Sequence, residues 1–165
     1  MADADLVDFV AECLARAGVE PQRLCLEVTE ADLVTDPEVV VDQLRRFKEL
    51  GVRLAIDDFG TGFATLDYLR RFSTADILKV DASFVAGLTD PSKHDLAIVS
   101  AALVLADNLG FETVAEGVET DAQRRVLVRL GCELAQGHLF SPSVPAAEID
   151  AMLAADHDVA PSPPA

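Results

Sequence analysis

Val52-Arg-Leu-Ala-Ile-Asp-Asp-Phe-Gly-Thr-Gly-Phe63 runs apolar residues into two adjacent carboxylates, Asp57 and Asp58, and closes on a loop carrying Gly60 and Gly62. The pattern predicts a buried strand that delivers charge to a flexible rim. Two neighbouring aspartates repel one another unless a proton or cation lies between them, so the simplest occupant is a divalent metal.

Upstream, Leu6, Phe9, Val10, Cys13, Leu14 and Ala17 recur at helical spacing between Asp5 and Ala17, with Gly18 as the stop. Leu24-Cys-Leu-Glu-Val-Thr-Glu30 reads as a strand, and Asp36-Pro37 opens a helix that Gly51 ends. Downstream, a short helix is expected from Ala64 to Phe72, then a strand, Asp76-Ile-Leu-Lys-Val-Asp81, with a charge in its middle. Ser92 and Asp95 are expected to cap a helix to Leu109, and Phe111 to Glu116 is the next strand. Thr120 with Gln123 forms a capping box for a helix ending at Gly131. Glu133 to Phe140 reads as a strand, Pro145 to Ala155 as a last helix, and the Pro- and Ala-rich stretch 156–165 as a disordered tail.

Helix, glycine, short turn and apolar strand thus recur at Gly18, Gly51, Gly110 and Gly131. Helices between strands require crossovers and parallel pairing, which gives an α/β fold: a barrel or a doubly wound sheet. Strand parity separates the two. Leu24, Leu26 and Val28 share one face and suit a helix layer; Glu27, Asp57, Lys79, Glu116 and Gln136 fall on the other, each near the end of its strand. Polar groups converging from several strands belong to the mouth of a (β/α)8 barrel, whereas an open sheet concentrates its site at one switch point. A full barrel takes about 250 residues, so 165 residues with five strands predict an incomplete one, either truncated or closed by something else.

Half of the residues are apolar, enough for a substantial core, and no apolar run reaches membrane-spanning length. Without a basic, apolar start at Met1, a cytoplasmic location is expected. Cys13, Cys25 and Cys132 are too scattered for a zinc site and are expected to be reduced core residues. Lys and Arg total 13 against 29 Asp and Glu, a net charge of -16 that argues against nucleic-acid binding. An anionic ligand would therefore depend on bound cations.

At Glu27-Val-Thr-Glu30, Ile56-Asp-Asp-Phe-Gly-Thr-Gly62, Leu78-Lys-Val-Asp81, Ala115-Glu-Gly-Val-Glu-Thr120 and Gln136-Gly-His-Leu-Phe140 the chain resembles the EAL-domain phosphodiesterases that hydrolyse cyclic di-GMP. Five motifs in order make the resemblance specific. It implies a partial EAL domain over residues 1–155: a TIM-like (β/α)8 barrel of the EAL type with about five βα units and its N-terminal strands missing. The implied reaction opens cyclic di-GMP to linear pGpG with two Mg2+ or Mn2+ ions, in bacterial second-messenger signalling. Carried over residue by residue, Glu27, Asp57, Asp58 and Glu116 match the metal-binding acids, and Lys79 matches the lysine that orients the attacking water. A nearby glutamate would take that water's proton, which assigns catalysis to Lys79 and Glu116. Glu30 matches the glutamate that braces the loop after the paired aspartates; Glu119 and Gln136 match residues around the metals and substrate. A homodimer or an upstream signalling domain are the implied protein partners.

The family's Glu-Ala-Leu strand, the arginine after it and the Asn of the next strand have no counterpart in these 165 residues, which removes two metal ligands and a phosphate contact. Phe63-Ala64-Thr65 replaces the usual Tyr-Ser-Ser, and one extra residue precedes Lys79. Two readings follow: a truncated phosphodiesterase, or an inactive EAL-derived module that binds cyclic di-GMP or a signalling partner.

Overall fold

A computed structural model of the chain describes residues 4–29, 37–61, 74–90, 92 and 94–156. Strands β1 (Cys25–Thr29), β2 (Arg53–Phe59), β3 (Ile77–Val80), β4 (Glu112–Ala115) and β5 (Leu134–Ala135) form one sheet. Every adjacent pair is parallel and the spatial order is the chain order. A doubly wound sheet reverses its order at a switch point, and this one does not, so the arrangement is an arc of a TIM-like barrel.

Helices α1 (Ala4–Ala17), α2 (Pro37–Leu50), α3 (Ala82–Ala86), α4 (Asp95–Leu109), α5 (Asp121–Leu130) and α6 (Ala146–Asp156) accompany the strands. The parity argument holds where it matters. Leu54, Ile56 and Leu78 lie with Val7 of α1 and with Leu44 and Phe47 of α2 in one buried cluster, against which Leu26 and Val28 also pack. A second cluster joins Val80 and Ala115 to Val99, Ala102 and Leu103 of α4 and Leu127 of α5. With the apolar face committed to helices, the polar residues of the same strands turn to the other side.

At the foot of β2 and β3, Lys48 of α2 holds Asp76 at 2.6 and 2.8 Å, and Asp76 accepts the Leu54 N–H at 2.8 Å. This pair fixes the register of the two central strands at the end away from the carboxylates.

Several expectations need correction. The last strand covers only Leu134 and Ala135. The chain then folds over the loop after β4: Val118 N donates to Gln136 O at 3.0 Å and Leu139 N to Val118 O at 2.9 Å, with Gly137 at φ +152 between them. Ser92 and Asp95 do not cap α4; Ser92 gives its N–H and hydroxyl to Asp90, and His94 caps the helix without a side-chain bond. Cys25 is exposed rather than in the core, because β1 has one described neighbour; Cys13 is half-buried and Cys132 buried. The capping box at Thr120 and Gln123 is present. Glu30, Gly62, the helix expected at 64–72 and the stretch 157–165 lie outside the described residues. No described helix is long and apolar enough to cross a membrane.

Candidate metal centre

Lys79 sits in the middle of a fully buried strand, Ile77–Val80, and its side chain is 6 % exposed. An ammonium at that depth is costly without partners. Three carboxylates supply them: Glu27 at 2.8 Å, Asp57 at 2.9 Å and Glu116 at 2.7 Å from Nζ. Register explains the meeting. Ala55 pairs with both Glu27 and Ile77, and Lys79 pairs with Val114, so all four fall on one face, with Asp57 and Lys79 near one height, Glu27 two residues below and Glu116 two above. Desolvation alone would lower the pKa of Lys79, but its hydrogen bonds to Glu116, Glu27 and Asp57 outweigh that and raise it. The ammonium is therefore a fixed charge. Burial pushes the Glu116 carboxyl up, partly offset by its bond to Lys79, while Asp57 and Glu27 add repulsion.

Asp57 and Asp58 are consecutive, and a regular strand would point them to opposite faces. Between Ile56 and Phe59, β2 spends one more residue than β3, which is a bulge, and Asp58 adopts φ +55 in the left-handed region. Aspartate tolerates that region better than most residues. Thr61 secures the turn by donating its N–H at 3.2 Å and its hydroxyl at 2.9 Å to the Asp58 carbonyl. The result is that carboxylate oxygens of Asp57, Asp58 and Glu116 lie within 4.8 Å of one another, a spacing that can hold a metal ion. All three are half-buried. Among the described residues, one ammonium bonds three of the four carboxylates gathered here, and the excess of hard oxygen donors suits Mg2+, Mn2+ or Ca2+.

Gln136 joins the site, its Nε2 donating to Glu116 Oε1 at 2.6 Å. Glu119 does not: the residue is exposed, and its backbone N–H donates to Gln123 Oε1 at 2.9 Å. Glu27 reaches Lys79 but is half exposed on β1 and stands outside the three-carboxylate group. Sequence reasoning missed Gln123, which is buried and bonds Glu119 N, Thr120 N and Val85 O. Its place in the capping box was the available signal, although a box predicts a helix end and no tertiary contact. A cavity of about 570 Å3 opens elsewhere, at the starts of β4 and β5 beside Leu103, Phe111 and Leu130. Asp107, Glu112 and Glu133 also line it, but among the described residues only Asp57, Asp58 and Glu116 bring carboxylate oxygens within 4.8 Å of one another, at the strand ends.

Comparison with known proteins agrees with this geometry. A family profile described as EAL domain matches residues 1–143. The cyclic di-GMP phosphodiesterase NbdA of Pseudomonas aeruginosa is 45 % identical over 152 residues, 92 % of this chain and 19 % of that protein. The MucR phosphodiesterase, solved as its c-di-GMP complex, superposes with a TM-score of 0.83 at 44 % identity, covering 90 % of this chain and 59 % of that one. The Klebsiella pneumoniae BlrP1 manganese and c-di-GMP complex gives 0.77 at 37 % identity, covering 85 % and 35 %. The chain spans about a fifth of the length of the curated relatives it matches. A carboxylate-rimmed arc of barrel, a profile match over most of the chain and relatives above 40 % identity have one common explanation: this chain belongs to the EAL domain family.

Proposed function

We propose that this chain provides the metal-binding and catalytic strands of a phosphodiesterase that opens cyclic di-GMP to linear pGpG. One observation carries the reading: carboxylates of Asp57, Asp58 and Glu116 within 4.8 Å, beside a buried Lys79. Those three residues, with Glu27 at the margin, would hold Mg2+ or Mn2+. Held there, a divalent cation would neutralise the phosphodiester and lower the pKa of a nearby water. The protein's own part is positional. Lys79 keeps its charge and, by exchanging one of its three carboxylate bonds for the water oxygen, would fix its approach; Glu116, whose carboxyl burial pushes up, would accept the proton the water gives up. Gln136 orients Glu116. By the family resemblance, Glu30 would brace the loop after Asp58, and Glu119 would add negative charge at the rim.

The setting proposed is cytoplasmic signalling in a bacterium, with a second copy or an upstream signalling domain as partner. Incubating the chain with cyclic di-GMP and Mn2+ and separating the products tests the activity. Accumulation of pGpG, lost in Asp57→Asn, supports it; intact substrate with wild-type protein refutes it for this chain. The half-exposed Glu27 on a strand with one described neighbour favours a second reading, an EAL-derived module that binds the dinucleotide without turnover. Saturable binding of cyclic di-GMP with no pGpG would select that reading.

A further inference from the structure

We propose that the short helix α3 is the abutment that sets the spacing of the cation-binding carboxylates, with Phe84 and Ala82 as its positioning residues. The proposal rests on the cation-site reading above. Helix α3 begins three residues after Lys79 and is anchored by Asp81, whose carboxylate accepts the Ser83 N–H at 3.0 Å. Both loops that carry carboxylates press on it. A methyl group placed on Gly60 would lie 3.1 Å from Cε2 and 3.4 Å from Cζ of Phe84, so the backbone two residues beyond Asp58 rests on the ring. One placed on Gly117, next to Glu116, would lie 2.5 Å from the Ala82 Cβ. Gln123 ties the same loop to the helix a third time, through its 3.3 Å bond to Val85 O.

The contacts matter because Asp58 stands at φ +55, a conformation that persists only where the surroundings impose it. The Thr61 bonds close the turn locally, and the Phe84 ring lies against it at Gly60. Ala82 is exposed; Phe84 is half-buried and also packs against the second core cluster, so exchange at Thr61, and not stability alone, reads its bracing role. Lys79, Asp58 and Glu116 are thereby referenced to one rigid turn of chain.

The test compares wild type with Phe84→Leu, Ala82→Val and Val7→Ala, the last a core change in α1 that belongs to the other buried cluster. Amide hydrogen exchange at Thr61, whose N–H bonds Asp58, is read in metal-free protein, and Mn2+ affinity by titration calorimetry. Phe84→Leu should speed exchange at Thr61 and weaken Mn2+ binding, each by about tenfold. Ala82→Val should weaken binding without altering exchange at Thr61, and Val7→Ala should do neither. Unchanged exchange at Thr61 in folded Phe84→Leu overturns the proposal. If wild type takes up no Mn2+, the cation reading fails, and exchange alone judges the abutment.

Discussion

Lys79 compensates carboxylates from three strands, and removing its charge strands them against one another. Breaking a buried charge cluster by deleting one partner costs about 3–5 kcal/mol, so Lys79→Met should lose stability of that order in urea unfolding at neutral pH. The sign of its pH dependence is fixed. Glu116 already titrates high, and without the ammonium it would bind a proton more readily in the folded than in the unfolded state. A folded-state pKa above the unfolded value stabilises as pH falls, so the penalty should shrink on acidification from neutral pH toward 5. A penalty that stays constant across that window contradicts the arrangement. Lys79 itself has a raised pKa, so its contribution is present below the ordinary lysine value and lost only as alkali passes the folded one. Gln136→Leu removes the bond that orients Glu116 and should weaken Mn2+ binding by about 10–100-fold in calorimetry. Unaltered affinity would show Gln136 to be a bystander. The residues of this cluster were legible in the sequence because an interior lysine and strand-end acids have little reason to exist apart. Asp58 was legible as an acid, but the bulge that turns it toward Asp57 was not, since one extra residue in a strand leaves no mark in hydrophobic pattern.

Among the elements, most of those announced by caps and glycines formed as their local chemistry dictates, although Ser92 and Asp95 do not cap α4. The Thr120–Gln123 box and the helix stops at Gly51 and Gly131 depend on neighbours in sequence. Two elements depend on partners far along the chain and were not legible. Helix α3 has only five residues and no apolar period to read. β5 stops after Ala135 because the following backbone bonds to Val118 instead of extending the ladder. Gly137 makes that crossing: a methyl group there would lie 2.3 Å from Val118 N and 2.4 Å from Val118 O. Gly137→Ala should therefore destabilise by more than the roughly 1 kcal/mol typical of a point mutant. It should also reduce Mn2+ affinity by moving Gln136. Full stability in that variant would mean the crossing is loose.

For the whole molecule, the net charge of -16 and the carboxylate cluster work against an anionic dinucleotide unless cations intervene. Chelation should accordingly abolish both turnover and binding of cyclic di-GMP, read by product analysis and calorimetry. Binding that survives chelation would show the dinucleotide held without metal. The order of the sheet was legible as a rhythm of helix, glycine and strand; the choice of a barrel came from parity, because five polar residues shared one face, and from the resemblance to the EAL family.

The most direct measurement is a calorimetric titration of Mn2+ into the wild-type chain and into Asp57→Asn and Asp58→Asn. Saturable uptake by wild type, lost in both variants while each stays folded, is the predicted result. Uptake that persists in both, or none in wild type, would contradict the gathering of these carboxylates into a cation site.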